Sequence, residues 1–122
     1  MKIAYKVVSK SIGGYVSNQV RSSEALGYIF NHKVLNRNTD LQKEGFHIFI
    51  FDRIEDARHY CNYYDTRELI MECLVDDEVA LPLFRYALLA YQIVKKDTQS
   101  SWYPIGTAMY KTVIPLRRME RK

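Results

Sequence analysis

The sequence predicts an α+β domain in which one principal helix packs on a mainly antiparallel sheet. Residues Phe46–Phe51 form an apolar run that is typical of a strand covered on both faces. At Asp52 the spacing of apolar residues changes to that of a helix. Shorter alternating segments, separated by turn residues, lie on both sides of this unit. With 122 residues, 48% of them hydrophobic, the chain can form one domain with its own core.

The first strand is predicted at Lys2–Val8, where polar and apolar residues alternate. This alternation places Ile3, Tyr5 and Val7 on the buried face. It places Lys6 on the opposite face, which we expect to contact solvent.

Turn residues divide the next part of the chain. Residues Ser9–Gly14 end in Gly-Gly and predict a hairpin loop, with a return strand that starts at Tyr15. The pair Asn31-His32 predicts either a second hairpin or a strand and a turn. Residues 36–44 are mostly polar and predict a surface loop.

The principal helix is predicted from Asp52 to about Asn62. Asp52 is expected to cap its first turn, and Glu55, three residues later, completes a capping box. One face of this helix is apolar and comprises Ile54, Ala57 and Cys61. The sequence therefore predicts a central strand that leads directly into a helix.

Two longer strands are predicted in the second half of the chain. They are Arg67–Val75, which ends in an acidic turn at Asp76–Glu78, and Gly106–Leu116, which ends at Pro115. Residues Arg85–Val94 fit either a strand or a helix, and a strand is favoured. Pro82 cannot donate to a ladder and indicates a sheet edge.

The positive charge is concentrated at the C-terminus. The chain has a net charge of +4, and residues 117–122 contribute +3 of it. We therefore divide the chain into a single α+β domain at 1–116 and a basic, solvated tail at 117–122. A nearly neutral domain argues against a nucleic-acid-binding protein.

Several classes of protein are excluded by what the sequence lacks. No apolar run approaches ~20 residues, so no membrane-spanning helix is expected. The first residues run straight into a strand pattern without a signal peptide, which predicts a cytoplasmic protein. Cys61 and Cys73 are too few for a disulfide framework, and both are expected to be buried and reduced.

The sequence carries little catalytic chemistry. Its histidines, His32, His47 and His59, show no metal-ligand spacing, and no phosphate-binding glycine motif is present. No cofactor is therefore expected. An enzymatic hypothesis would use His47 as a general base with Glu72 or Glu68 on a neighbouring strand. A half-buried, hydrogen-bonded histidine is the favoured interpretation.

A binding site is the better-supported hypothesis. Arg21 and Arg37 lie in polar segments, and arginine binds phosphate through paired donors. Trp102 or Tyr103 would supply an apolar wall, with His47 as a polar neighbour. These residues predict a surface that accepts an anionic, nucleotide-like ligand.

Four short motifs support a resemblance. They are Gly45-Phe46-His47, Glu55-Asp56-Ala57, the opening Tyr5–Val8 and the strand Ile70–Val75. In these the chain resembles small, mostly uncharacterised phage and mobile-element proteins and a domain found at the end of some pentapeptide-repeat proteins. The resemblance does not extend to residues 96–122. It implies a compact α+β unit of viral origin and supplies no catalytic residues.

Three functions follow as hypotheses. The first is a small non-enzymatic phage protein that sequesters a nucleotide-like signal, similar in role to the sponge proteins that counter Thoeris defence. The second is an inhibitor that blocks a host protein through a tyrosine-rich surface. The third is a small enzyme that uses His47. A homo-oligomer, most simply a dimer, is expected because a sheet edge near Pro82 must be covered or paired.

Overall fold

The computed structural model describes residues 1–11, 14–17, 27–35, 42–43, 45, 47–61, 67–81 and 104–121. In these ranges the chain is mostly antiparallel sheet with a short helix, which is consistent with an α+β protein. The strands are β1 (Lys2–Ser11), β2 (Gly14–Ser17), β3 (Gly27–Tyr28), β4 (Ile48–Phe51), β5 (Glu68–Val79) and β6 (Thr107–Met119); the helix α1 is Ile54–Tyr60. No helix in the described ranges is long and apolar enough to cross a membrane.

The strands form one sheet in the order β3-β2-β1-β4-β6-β5, and β5 also pairs with β1. All of these pairings are antiparallel. The β1–β5 ladder is long, from Lys2 opposite Val75 to Ser9 opposite Glu68. Because β5 closes on β1, the strands β1, β4, β6 and β5 form a ring, and β2 and β3 extend it on one side.

Buried residues form two clusters, one on each face of β1. The larger cluster includes Ala4, Val8, Tyr28, Ile48, Ile50, Met71, Cys73, Tyr110 and Val113. The smaller cluster comprises Val7, Phe51, Ala57, Cys61 and Ile70. Both faces of β1 are therefore buried at its centre, so the prediction that the Lys6 face is exposed to solvent is wrong.

The predicted hairpin after β1 is confirmed. Ser11 lies opposite Gly14 in the β1–β2 ladder. Gly14 has a φ of 126°, a backbone angle that residues other than glycine rarely adopt. Beyond β3 the chain turns at Asn31, where φ is 66°. It then pairs with β6 through a bridge between Val34 and Val113. The Asn31-His32 pair therefore belongs to a turn between β3 and this bridge.

The predicted central strand is confirmed over Ile48–Phe51, where each residue is buried. The period change after it is also confirmed, but the capping box is wrong. Helix α1 begins at Ile54 with Arg53 as its N-cap, and no side chain caps it. The Asp52 carboxylate instead accepts a hydrogen bond from the Tyr110 hydroxyl at 2.6 Å. Asp52 thus bonds to Tyr110, a residue distant in sequence, instead of capping the first turn of α1.

Strand β5 continues through the predicted acidic turn Asp76–Glu78 to Val79. The expected turn is therefore wrong, although Asp77 does have a positive φ of 59°. Aspartate tolerates this left-handed conformation better than most residues, which allows a local distortion without ending the strand.

Strand β6 likewise runs past Pro115 to Met119. Pro115 lies opposite Cys73, and a register shift follows between Glu72 and Cys73. Such an irregularity accommodates a proline, which cannot donate to the ladder. Arg117 then pairs with Glu72 through two contacts of 2.9 and 3.4 Å. The first residues of the predicted basic tail are thus part of the sheet.

Candidate functional site

Of the residues that the sequence predicts for a ligand site, only His47 lies in the described part of the chain. Arg21, Arg37, Trp102 and Tyr103 lie outside it, as do Pro82 and the Arg85–Val94 segment. The described candidates for a functional site are therefore His47 and the polar groups in and around the core.

His47 immediately precedes β4 and is partly buried. Its backbone N–H points at the Met109 sulfur, 3.2 Å away. Since Ile48 lies opposite Tyr110, the β4–β6 register places His47 beside Lys111. Burial, and secondarily the positive charge of Lys111, lower the pKa of His47. The imidazole is therefore neutral at pH 7 and able both to donate and to accept a hydrogen bond.

The predicted carboxylate partner of His47 is wrong. Glu72 lies on β5 and binds Arg117, while Glu68 lies at the opposite end of β5 from the part that reaches β6 near Tyr110. Strand β4 has β1 and β6 as its neighbours and does not pair with β5. The closed ring thus separates His47 from both glutamates, which a linear reading of strand order could not show.

Lys6 is the most unusual polar group in the structure. Among the described residues it is the one buried charged residue, with 2% of its surface exposed. Its Nζ donates to the backbone carbonyl of Phe49 at 2.6 Å, across the interface between β1 and β4. The same nitrogen lies over the Tyr28 ring, 5.7 Å from its centroid. The Cys73 thiol is also close enough to influence it.

The surroundings of Lys6 favour an uncharged amine. Burial lowers the pKa of Lys6 to about 7, and the nearby Cys73 offsets this only in part. A carbonyl oxygen and an aromatic face stabilise an ammonium ion less than a carboxylate would. The described partners of this nitrogen carry no full negative charge when Cys73 is protonated. Buried groups with such perturbed pKa values concentrate at functional sites, although structural networks produce them too.

The sequence contained a signal for the burial of Lys6. On its face of β1 the residues two positions away are Ala4 and Val8, both apolar and both fully buried. A lysine that lies between two apolar residues on the same strand face indicates that this face is buried and that the lysine is buried with it. The alternation with Ile3, Tyr5 and Val7 concealed this pattern.

A second polar group lies where β1, β4 and β6 meet. Lys2 Nζ is 3.2 Å from the Asp52 carboxylate, which also accepts the hydrogen bond from Tyr110. Lys2 also lies 5.7 Å from the centroid of the Tyr110 ring. Hydrogen bonds to Tyr110 and to Asp52 raise the pKa of Lys2. Burial and the bond to Asp52 raise the pKa of Tyr110 to about 12. Each donor in this group has an acceptor, so the cluster joins strands and offers no activated nucleophile.

The two cysteines are free and buried, as predicted. Burial raises the pKa of Cys61, with the negative charge of Glu68 adding to the effect. Burial also raises the pKa of Cys73, to about 12. Because the thiolate is the reactive form, neither cysteine is suited to act as a nucleophile at neutral pH.

The described residues contain no group of three histidine, cysteine or acidic side chains that could hold a metal ion. They place the neutral imidazole of His47 beside Lys111 at the start of β4. They also place the buried amine of Lys6 against the Phe49 carbonyl of the same strand. No protein-family model, curated protein or solved structure matches the chain.

Proposed function

We propose that the protein is a small non-enzymatic binder of an anionic, nucleotide-like signalling molecule, with the role of a phage anti-defence sponge in the host cytoplasm. The observation that supports this proposal is the pairing of His47 with Lys111. The charged group that acts on the His47 pKa is a cation. A general base would instead be expected beside a carboxylate that orients it.

His47 and Lys111 provide complementary means of recognition. The exposed Lys111 ammonium would be the cationic contact of the site, and it lies next to the exposed acidic run Asp76–Glu78 of β5. The neutral imidazole of His47 can donate to a phosphate oxygen or accept from a base or ribose hydroxyl. Each residue directly adjoins the last pair of the β4–β6 ladder, Ile48 opposite Tyr110. A site that begins on rigid strands and is completed by loops is a common design for binding proteins.

The rest of the proposed site comes from the sequence. Arg21 and Arg37 would supply the paired donors that match a phosphate, and Trp102 or Tyr103 would stack on a base. Arg37→Ala should then weaken binding of the ligand by about 1.5–3 kcal/mol, the range for a charged hydrogen bond.

The proposal includes a scaffold in which α1 is the principal helix of a single α+β domain and packs on the sheet. Ala57 and Cys61 support this, because they share a buried cluster with Val7, Phe51 and Ile70 of three strands. Helix α1 directly follows β4, so this packing would hold the strand that presents His47.

A thermal-shift screen against cyclic mononucleotides, cyclic dinucleotides and adenine dinucleotides tests the proposal. A ligand that binds only the folded protein at 100 times its Kd adds about 2.7 kcal/mol to the free energy of unfolding. We expect at least one class to raise the melting temperature without being consumed, as judged by chromatography of the recovered ligand. Consumption of the ligand would support the enzymatic hypothesis instead.

Matched variants locate the site. Lys111→Ala and Arg37→Ala should weaken binding while leaving the melting temperature of the free protein unchanged. Arg53→Ala is the control, because Arg53 is also exposed and its described partner is the neighbouring Glu55, 3.4 Å away. Equal effects of all three variants would show a nonspecific charge effect. Absence of any nucleotide ligand, together with capture of one host protein, would favour the inhibitor hypothesis.

A further inference from the structure

We infer that Lys6 is a positioning residue for His47. Its buried amine supplies a hydrogen bond at the point where β1 and β4 separate, and this bond holds the start of β4 in place. The role of His47 in binding a ligand rests on the proposed function. The contact between the two strands does not depend on any ligand.

Strands β1 and β4 separate close to their point of contact. Within the described residues they share one ladder pair, Tyr5 opposite Phe51. If this antiparallel ladder continued, Val7 would lie opposite Phe49, two residues further along each strand. Because β5 occupies one edge of β1 over this length, β4 and β2 share the other edge, and β2 occupies it from Val8 onward. The β1–β4 ladder therefore ends before it reaches Phe49.

The Lys6 amine makes the contact that the ladder no longer makes. Its Nζ donates to the Phe49 carbonyl at 2.6 Å, so this carbonyl receives a side-chain donor from β1 where a continued ladder would bring backbone groups together. The same nitrogen lies 5.7 Å from the centroid of the Tyr28 ring of β3. Lys6 thus contacts both β4 and β3 just beyond the end of the ladder.

Stability alone does not account for a lysine at this position. Its neighbours on the same strand face, Ala4 and Val8, are apolar and fully buried, and Lys6 itself is 2% exposed. Removing an amine from water costs free energy that an apolar side chain of similar length would not incur. Buried polar groups that lower stability specify one arrangement of their neighbours in some proteins, and the bond to Phe49 assigns that role to Lys6.

His47 is the functional residue that this bond would place. It lies two residues before Phe49 and just outside the β4–β6 ladder. Its own backbone N–H contacts the Met109 sulfur at 3.2 Å, and a thioether is a weak acceptor. The start of β4 is therefore held by the ladder with β6 on one side and by the Lys6 bond on the other. Loss of the Lys6 bond should let this end of the strand, with His47, move away from β1.

Amide hydrogen exchange of the Lys6→Met protein tests the inference, because methionine keeps the length of the side chain and removes its donor. Ile70 and Leu74 of β5 serve as references for global unfolding, since each is paired on both sides. Relative to these references, the amides of residues 48–50 should exchange at least about tenfold faster, because the Phe49 carbonyl has lost a buried donor. The ratio separates local loosening from any change in global stability.

Lys2→Met is the matched control. Lys2 lies on the same face of β1, but it contacts Asp52, beyond the other end of β4. This variant should leave the exchange of residues 48–50 unchanged. In the original protein these amides should exchange nearly as slowly as the references. The inference is overturned if they are far less protected there, or if Lys6→Met leaves the ratio unchanged.

The NMR signal of the His47 imidazole tests the positioning role, with inorganic phosphate as the probe. Phosphate should shift this signal in the original and Lys2→Met proteins. The Lys6→Met protein should require at least about tenfold more phosphate, because a site that is no longer held in place loses its pre-organisation. An equal requirement would overturn the positioning role. No shift in the original protein would count against the proposed function, and the exchange ratio would then decide the inference by itself.

Discussion

Two lysines of β1, four residues apart on the same strand face, occupy opposite environments. Lys2 is half exposed and contacts Asp52 and Tyr110, which together raise its pKa. Lys6 is buried against the Phe49 carbonyl and the Tyr28 ring, and burial lowers its pKa to about 7. The strand spans about 13 Å between them. The difference shows that closure of the sheet, and not the residue type, decides the charge state of each amine.

The largest effect is expected at Lys6. Lys6→Met should raise the free energy of unfolding at pH 7 by about 1–4 kcal/mol, because a buried polar group is replaced by an apolar side chain of similar length. Chemical denaturation measures the change. Lys6→Ala is the control, since it removes the same amine but leaves a cavity and should be less stable than Lys6→Met. A Lys6→Met protein less stable than the original would show that the bond to Phe49 outweighs the cost of burial.

The next effect is a dependence of stability on pH. The pKa of Lys6 is about 7 in the folded protein and 10.5 when unperturbed. Between these values the unfolded chain binds a proton that the folded protein does not, so the free energy of unfolding rises with pH. The pKa of the buried Cys73 thiol is raised from 9.0 to about 12. Above pH 9 the unfolded chain therefore loses a proton that the folded protein keeps, so this group lowers the free energy of unfolding as the pH rises.

The rise should therefore be measured between pH 7 and 9, where Lys6 contributes about 2 kcal/mol. Denaturation midpoints across this range measure it, and the Lys6→Met protein should lose most of the slope. An equal slope in both proteins would assign the pH dependence to other groups.

A smaller effect is expected at the acceptor shared by Lys2 and Tyr110. Tyr110→Phe keeps the buried ring but removes the hydroxyl that donates to Asp52 at 2.6 Å. The free energy of unfolding at pH 7 should fall by about 1.5 kcal/mol, the lower end of the range for a hydrogen bond to a charged group, because the Asp52 carboxylate is partly exposed. A change as large as that at Lys6 would mean that this cluster, and not the interior amine, dominates the polar energetics.

The smallest effect is expected at Lys2 itself. Lys2→Met should change the free energy of unfolding by about 0.5 kcal/mol, because a half-exposed ion pair is screened by water and salt. Its matched partner is Lys6→Met, the same substitution four residues further along the strand. Effects of equal size and sign at the two positions would remove the contrast between them.

The sequence predicted the features that depend on local pattern. The apolar run at β4, the glycine turn between β1 and β2, and the burial of Cys61 and Cys73 all follow from neighbouring residues. The cap at Asp52, the strand end at Pro115 and the wet face at Lys6 were predicted by the same local rules and are wrong. In each case a strand distant in sequence supplies the deciding contact: Tyr110 for Asp52, β5 for Pro115, and β4 for Lys6.

The candidate site was less predictable because it requires distances between segments. His47 was selected from its place in the central strand, but its partner Lys111 depends on the β4–β6 register. That register is set by pairing between residues at least 56 positions apart (Phe51 and Thr107), which no spacing in the sequence reveals. The roles of Arg21, Arg37, Trp102 and Tyr103 stay predictions from residue type.

The most direct test is an NMR titration of the lysine side chains, with Lys6→Met used to assign the Lys6 signal. We predict that Lys6 titrates near pH 7, whereas Lys2 titrates above the ordinary lysine value of 10.5. The two signals should therefore move in separate pH ranges within one spectrum. Titration of Lys6 near pH 10.5, together with the exposed lysines, would contradict the burial of its amine away from water.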